Sequence, residues 1–318
     1  MDHKLREAAL KLGYDDVRPV TGHPFDVWIN RLKSIPLGQH FTFEHDPVKV
    51  SGWMLDEITI WVAIALTPPV SEWPEGYGEV GAYYLGYPEQ AKRRKLWEEA
   101  AVDMGYEIIP EVVLPVRAAA IRAGLGVHGL NGLLITPDYG SYVSITVLLV
   151  REAPPANARG PEFDMSPGCG DCGDCIAACP TGAISINEGA DTTKCLRSYM
   201  NWTEHMPEED YPKMERRILG CDTCQQVCPK NDSIEKVLPP ADVLSCMKIE
   251  DLFIDDNIER LQEIIKFKFG SHNKIKQQAI FAAAHTNRKD LLLLIEPLQN
   301  TNDETLAKIA KWAVDYLQ

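Results

Sequence analysis

The chain has 318 residues, 45% hydrophobic and 25% charged, a make-up typical of globular proteins and long enough for two or three domains. Its 46 acidic residues against 32 basic ones give a net charge of −14, which excludes a surface given over wholesale to nucleic-acid phosphates but not a local basic face. No run approaches the roughly 18 uninterrupted apolar residues of a membrane helix, and the stretch from Met1 to Glu7 lacks the apolar core of a secretory signal, so a cytoplasmic protein with no membrane partner is expected.

Residues 2–13 read as a short amphipathic helix, followed by Pro- and Gly-punctuated chain to about residue 50. Ile58 to Leu66, ITIWVAIAL, is a nearly continuous apolar run rich in β-branched residues and predicts a buried strand. Glu89 to Met104 predicts a helix stopped by Gly105, and Pro115 to Ala123 a second one with proline at its start and Gly124 past its end. Leu133–Thr136 and Tyr142–Val150, joined by Pro137-Asp138-Tyr139-Gly140-Ser141, predict a β-hairpin. A linker with three prolines in thirteen residues, REAPPANARGPEF, follows. From about residue 236 the pattern is helical, with 258–269, 275–285, 291–297 and 304–317 as candidates resembling one or two units of a helical repeat. Three units are therefore expected: 1–155 mixed, 160–235 bearing the cysteine motifs, and 236–318 helical.

Eight of the nine cysteines lie between residues 169 and 228. The first motif is Cys169-x2-Cys172-x2-Cys175-x3-Cys179-Pro180; the second is Cys195, then Cys221-x2-Cys224-x3-Cys228-Pro229. Zinc also favours Cys-x2-Cys pairs, but it explains neither the two Cys-Pro endings nor the three closely spaced cysteines of the first run. Two [4Fe–4S] clusters do. In two-cluster ferredoxins the fourth cysteine of such a run ligates the other cluster. One cluster is thus assigned to Cys169, Cys172, Cys175 and Cys228, the other to Cys179, Cys195, Cys221 and Cys224. Cys246 fits neither motif and reads as a small buried hydrophobe.

Residues 122–143, RAGLGVHGLNGLLITPDYGSYV, carry Gly124, Gly126, Gly129 and Gly132 in a helix-to-strand loop. Absent side chains there let backbone approach a bulky ligand, or simply another strand. Together with ITIWVAIALTPP, CGDCGDCIAACPTGAI, the lone Cys195, GCDTCQQVCPKN and the tail segment FGSHNKIKQQAIFAAAH, this loop is similar to the epoxyqueuosine reductase and reductive dehalogenase superfamily. The likeness covers roughly residues 55–290 and is densest over 117–232. It implies an α+β protein: a nitroreductase-like α/β domain binding base-off cobalamin, a ferredoxin-like domain with two [4Fe–4S] clusters, and a small all-α, HEAT-like C-terminal domain. It further implies a cytoplasmic, monomeric reductase that draws on a low-potential donor of ferredoxin or flavodoxin type.

On the same resemblance, the glycine loop and the turn from Asp138 to Tyr142 pack against the corrinoid. Asn131, Thr136, Ser141 and Tyr142 become candidate partners for its polar groups. Asn131 also suits a turn cap, Thr136 a sheet pair, and Tyr142 a core position. His128 is a candidate proton relay or corrinoid contact, or a plain loop histidine. Family members carry a proton-donating aspartate just before the helix leading into this loop; here Pro110 takes that position and Glu111 follows it. Glu111, flanked by apolar residues whose burial of it would raise its pKa, is either one candidate donor or a solvated glutamate at a strand end. Tyr83, Tyr84 and Tyr87 stand where the family carries arginine and histidine, and are the others.

Lys266, Lys268, Lys274, Lys276, Arg288 and Lys289 fall within a stretch from 264 to 289 that has no acidic residue. This is either a footprint for tRNA, as the resemblance implies, or a helix face balanced by acids elsewhere. The leading functional expectation is a cobalamin-dependent iron–sulfur reductase that removes an epoxide oxygen or another leaving group. The rivals are an electron carrier reducing a partner's corrinoid and a ferredoxin fused to an inactive scaffold.

Overall fold

The computed structural model describes residues 4–34, 46–110, 114–160, 167–266 and 271–318. In chain order the first half comprises α1 (Lys4–Lys11), β1 (Asp16–Thr21), α2 (Asp26–Ser34), α3 (Pro47–Ser51), β2 (Ile58–Leu66), β3 (Glu79–Val80), α4 (Ala82–Asp103), β4 (Ile108–Ile109), α5 (Val116–Arg122), β5 (Val127–His128), β6 (Leu134–Ile135) and β7 (Val143–Arg151). β2 is the apolar run anticipated from sequence, and it is central: the antiparallel sheet has the order β1-β2-β7-β4.

Both faces of β2 are covered, which is why its sequence does not alternate. Ile58, Ile60, Val62 and Ile64 face a core with Phe25, Val147, Leu149 and the alanines 118–120 of α5. Trp61, Ala63 and Ala65 face the other way, onto Leu5 and Ala9 of α1 and Trp97 and Ala101 of α4. Small residues on α5 bring that helix close to the sheet, and Trp97 donates from its indole to the Leu5 carbonyl at 3.0 Å. Each fully buried large side chain here contributes about 1.5–3 kcal/mol.

Two expectations change. The hairpin is not formed: β6 pairs back onto β5, whereas β7 joins β2 along its whole length. Thr136 closes onto Gly140 instead, so the intervening turn separates two sheets rather than joining two strands of one. The helix expected from Glu89 starts earlier, at Ala82, and runs through Pro88. Its first turn is capped from far away: the Asp222 carboxylate accepts the Ala82 N–H at 2.7 Å, and a side chain on Gly81 would collide with it.

The second half comprises α6 (Asp174–Ala178), β8 (Ile184–Ser185), β9 (Gly189–Ala190), α7 (Leu196–Tyr199), β10 (Arg217–Leu219), α8 (Thr223–Gln226), α9 (Ala241–Leu244), α10 (Asp255–Ile265), α11 (His272–His285), α12 (Leu292–Ile295) and α13 (Glu304–Leu317). The helical tail lies close to its expected spans, with α13 capped by Asp303, whose side chain accepts the Leu306 N–H. Its core reaches back to Leu196, Tyr211 and Ile218 and takes in Trp73, Val80 and Tyr84 from the first half. β10 pairs in parallel with β3, stitching the two halves together. Cys246 is wholly buried in this core. No helix among the described residues is long and apolar enough to cross a membrane.

Candidate active site

The cysteine motifs fold into short helices that turn their thiols inward. α6 carries Cys175 and ends at Cys179, Cys195 caps α7, and α8 carries Cys224. The thiols form two sets of electrostatic neighbours. Cys175 is pushed up by burial and then by Cys169, Cys172 and Cys228. Cys195 is pushed up by burial and then by Cys221, with Cys179 further off; Cys224 is raised by burial, then by Cys221 and Cys195. Buried thiols that oppose one another's ionisation become stable thiolates only around positive metal. Among the described residues, no three His, Cys, Asp or Glu side chains are grouped tightly enough to hold a single ion. Two four-thiol sets suit two multi-iron clusters. Backbone N–H groups already point at sulfur, from Leu130 to Cys169 at 3.4 Å and from Ala183 to Cys179 at 3.3 Å.

One set opens onto a large cavity. Cys179, Cys195, Cys221 and Cys224 line it, and Cys169, Cys172, Cys175 and Cys228 do not. The cavity holds about 1100 Å³, above the roughly 300–1,000 Å³ of common small-molecule sites. β7, the start of α4, α5 and the β8–β9 hairpin supply the rest of a mainly apolar wall. That size, an apolar wall and thiols along one side fit a corrinoid.

Tyr83, Tyr84 and Tyr87, on the first turns of α4, all face this cavity. Tyr83 keeps 46% of its surface open, while Tyr84 is 3% exposed. Their rings meet edge to face at 5.3 Å. Burial raises the pKa of both phenols, so both are protonated at neutral pH; the Arg197 guanidinium, 6.0 Å from the Tyr84 ring centre, works against that rise. His128, Asn131, Gly132, Ser141 and Tyr142 also line the wall.

Gly124, Gly126, Gly129 and Thr136 are not among the residues of the cavity wall. A side chain at Gly126 would strike the Ile135 carbonyl, and one at Gly129 the Asn131 side chain, so these glycines serve the packing of β5 on β6. Thr136 spends its hydroxyl on the Gly140 carbonyl and the Tyr139 N–H. Asn131 accepts the Leu133 N–H at 3.1 Å. Glu111 lies outside the described residues.

The family model for a 4Fe–4S double cluster binding domain matches residues 168–231. Over 275 residues the chain is 30% identical to the epoxyqueuosine reductase of Lactococcus garvieae, covering 79% of this chain and 74% of that one. The chain belongs to the epoxyqueuosine reductase family. It is 27% identical over 347 residues to the epoxyqueuosine reductase of Staphylococcus aureus, covering 96% of this chain and 86% of the relative. A crystal structure of an epoxyqueuosine reductase with a tRNA-Tyr epoxyqueuosine-modified stem loop shares its fold, with a TM-score of 0.75, 22% identity and coverage of 99% of this chain and 89% of that one. As an epoxyqueuosine reductase family member the chain is an iron–sulfur oxidoreductase.

Sequence reasoning missed the residue that clasps this family's cysteine segment to the loop. Asn231 is buried; its oxygen accepts the Ser141 N–H at 2.8 Å and its amide donates to the Ser141 hydroxyl at 2.9 Å and the Gln225 carbonyl at 2.7 Å. Ser141 is therefore engaged inside the protein. Gly140 is required alongside it, since a side chain there would run into Asn231. The only hint in sequence is an asparagine two residues after Cys228-Pro229.

The basic tail is balanced in space. Lys274 pairs with Glu204 at 3.0 Å, Lys276 with Asp255 at 2.8 Å, and Arg288 with Glu250 and Asp290 at 3.2 and 2.7 Å. Lys289 reaches the Gln318 carbonyl at 3.4 Å. Lys266 is exposed at the end of α10, and Lys268 lies outside the described residues.

Proposed function

We propose that this protein is a cobalamin-dependent reductase that removes the epoxide oxygen of a modified nucleoside in tRNA. The observation that carries the reading is the shared wall: four thiols, four tyrosines and the loop residues His128, Leu130, Asn131 and Gly132 surround one large apolar cavity. The wall residues would hold a cobalamin there, which would supply low-valent cobalt for the two-electron reduction of a carbon–oxygen bond. Cys169, Cys172, Cys175 and Cys228 hold the cluster facing a low-potential ferredoxin- or flavodoxin-type donor. Cys179, Cys195, Cys221 and Cys224 hold the one facing the cavity. His128, Asn131, Gly132 and Tyr142 shape the pocket around the cofactor, and its apolar wall excludes water from the reacting bond.

Removing the epoxide oxygen as water takes two electrons and two protons; Tyr83, protonated and lining the cavity, supplies the proton to the oxygen as the ring opens, and the second proton comes from solvent. Tyr84, buried behind it and held by Arg197, fixes its position. The substrate reading draws on the family membership and on the tRNA stem loop held by the solved relative.

Anaerobic purification from cells supplied with cobalamin tests the reading. The expected result is about one corrinoid and about eight iron atoms per chain, with conversion of the epoxide-bearing nucleoside, still within the tRNA, to its deoxygenated form. Full iron with no corrinoid would sink the reading in favour of an electron carrier serving a partner protein.

A further inference from the structure

A second cavity, of about 490 Å³, lies at the edge strand β1 and shares no wall residue with the large one. Arg6 of α1, Arg18 of β1 and Arg159 of the segment after β7 converge on it, with Asp16 as the carboxylate in the wall. Three guanidiniums against one carboxylate leave an excess of two positive charges in a chain whose net charge is −14.

The arginines are held in place by backbone. Arg18 grips Asp16 through Nε and Nη2 at 2.9 and 2.7 Å and donates from Nη1 to the Gly124 carbonyl at 2.6 Å. Arg6 donates from Nε to the Val17 carbonyl at 3.2 Å, with Nη2 3.9 Å from Asp16. Arg159 lies flat on Gly124: a side chain there would come within 2.7 Å of its Cζ. Its guanidinium has no hydrogen-bonding partner among the described residues. Gly124, at φ +70°, thus accommodates a guanidinium rather than the corrinoid. Pro19, Trp61 and Ala123 give the cavity an apolar floor.

Converging guanidiniums repel one another unless an anion joins them, and their planar forks match the oxygens of phosphate. We infer that this cavity binds a phosphate-bearing ligand, with its phosphoryl group on Arg159, Arg18 and Arg6 and the remainder over Pro19, Trp61 and Ala123. The volume exceeds what inorganic phosphate alone fills and lies within the usual range for small molecules. The phosphoryl group belongs either to a free phosphorylated metabolite or to a nucleic-acid backbone.

Calorimetric titration of pyrophosphate into the anaerobically prepared holoprotein tests the site. Saturable single-site binding is expected, weakened at least about tenfold in Arg159→Gln and in Arg6→Gln and unchanged in Arg197→Gln, whose guanidinium lies in the large cavity. Both test variants keep the backbone carbonyls and the strand pairing, and an unaltered thermal transition verifies that. Absence of saturable binding, the wild-type constant in both Arg159→Gln and Arg6→Gln, or loss confined to Arg197→Gln would overturn the inference. Competition from a tRNA anticodon stem loop, lost together with pyrophosphate binding in Arg159→Gln, identifies the source as a nucleic-acid backbone. Failure of that RNA to compete identifies a free metabolite.

Discussion

Tyr83 and Tyr84 are adjacent in sequence and opposite in surroundings, because one turn of α4 spans the border between the cavity and a core. Tyr84 is buried among the C-terminal helices, and Gly220 exists without a side chain to admit its ring. Tyr83 lines the cavity and stays exposed. Tyr83→Phe is expected to keep both clusters and the corrinoid while turnover falls about 10²–10⁴-fold, the usual contribution of a positioned proton donor. Turnover within a factor of two of wild type, measured by nucleoside analysis of the tRNA, would move the donor to Glu111 or His128. Asn231 makes a different kind of prediction. Asn231→Ala leaves the buried N–H and hydroxyl of Ser141 without their partner, at a cost of about 1–3 kcal/mol. Chemical denaturation should show that loss, and the spectra of the clusters should be retained in the folded fraction.

At the scale of elements, the proposed ligand sets cross the two cysteine motifs. Cys228, at the end of the second motif, neighbours the first three cysteines, and Cys179, at the end of the first, faces Cys195 and Cys221. Cys228→Ala should therefore remove the cluster of Cys169, Cys172 and Cys175 and leave the cavity-side cluster, seen as half the iron and one surviving electron paramagnetic resonance signal. Survival of the outer signal instead would show that each motif keeps its own cluster. The spacing that marks a double-cluster domain was local and therefore legible, as was the apolar run of β2. The misread hairpin shows the limit of such reading. Alternation marks β6 and β7 as strands, but pairing is decided by partners elsewhere, and β2 offers β7 nine residues of matching register. The early start of α4 was hidden for the same reason: its cap, Asp222, lies 140 residues away.

Across the whole molecule, charge is distributed in a way that sequence runs conceal. The acid-free stretch from 264 to 289 looks like a basic strip, yet Lys274, Lys276 and Arg288 meet Glu204, Asp255, Glu250 and Asp290 from other segments. The Lys276 ammonium beside Asp255, with His272 assisting, holds that carboxyl below its ordinary value. Such a carboxylate stabilises the fold above the ordinary aspartate pKa, and the contribution is lost as pH falls through the lowered one. Asp255 is exposed, so Lys276→Met is expected to change stability by no more than about 1 kcal/mol at neutral pH, and by less in high salt. Matching urea midpoints at low and high ionic strength for the variant, against a salt-dependent wild type, would bear this out. A loss of several kcal/mol would mean the pair anchors α10 to α11. The arginine-lined cavity at β1, by contrast, gathers cations from segments far apart in sequence, so no run of basic residues marks it.

The core that joins Leu196, Tyr211 and Ile218 to α11 and α13 has a consequence for biosynthesis. On the ribosome, the cysteines emerge well before the helices on which their segment rests. Leu196 and Ile218, close in sequence to Cys195 and Cys221, pack on a core completed by α13, so the cavity-side cluster is expected to be inserted after α13 has left the exit tunnel. A chain stopped before Glu304 is expected to load iron, if at all, only at the outer cysteines, and maturation in the cell then waits on release of the tail.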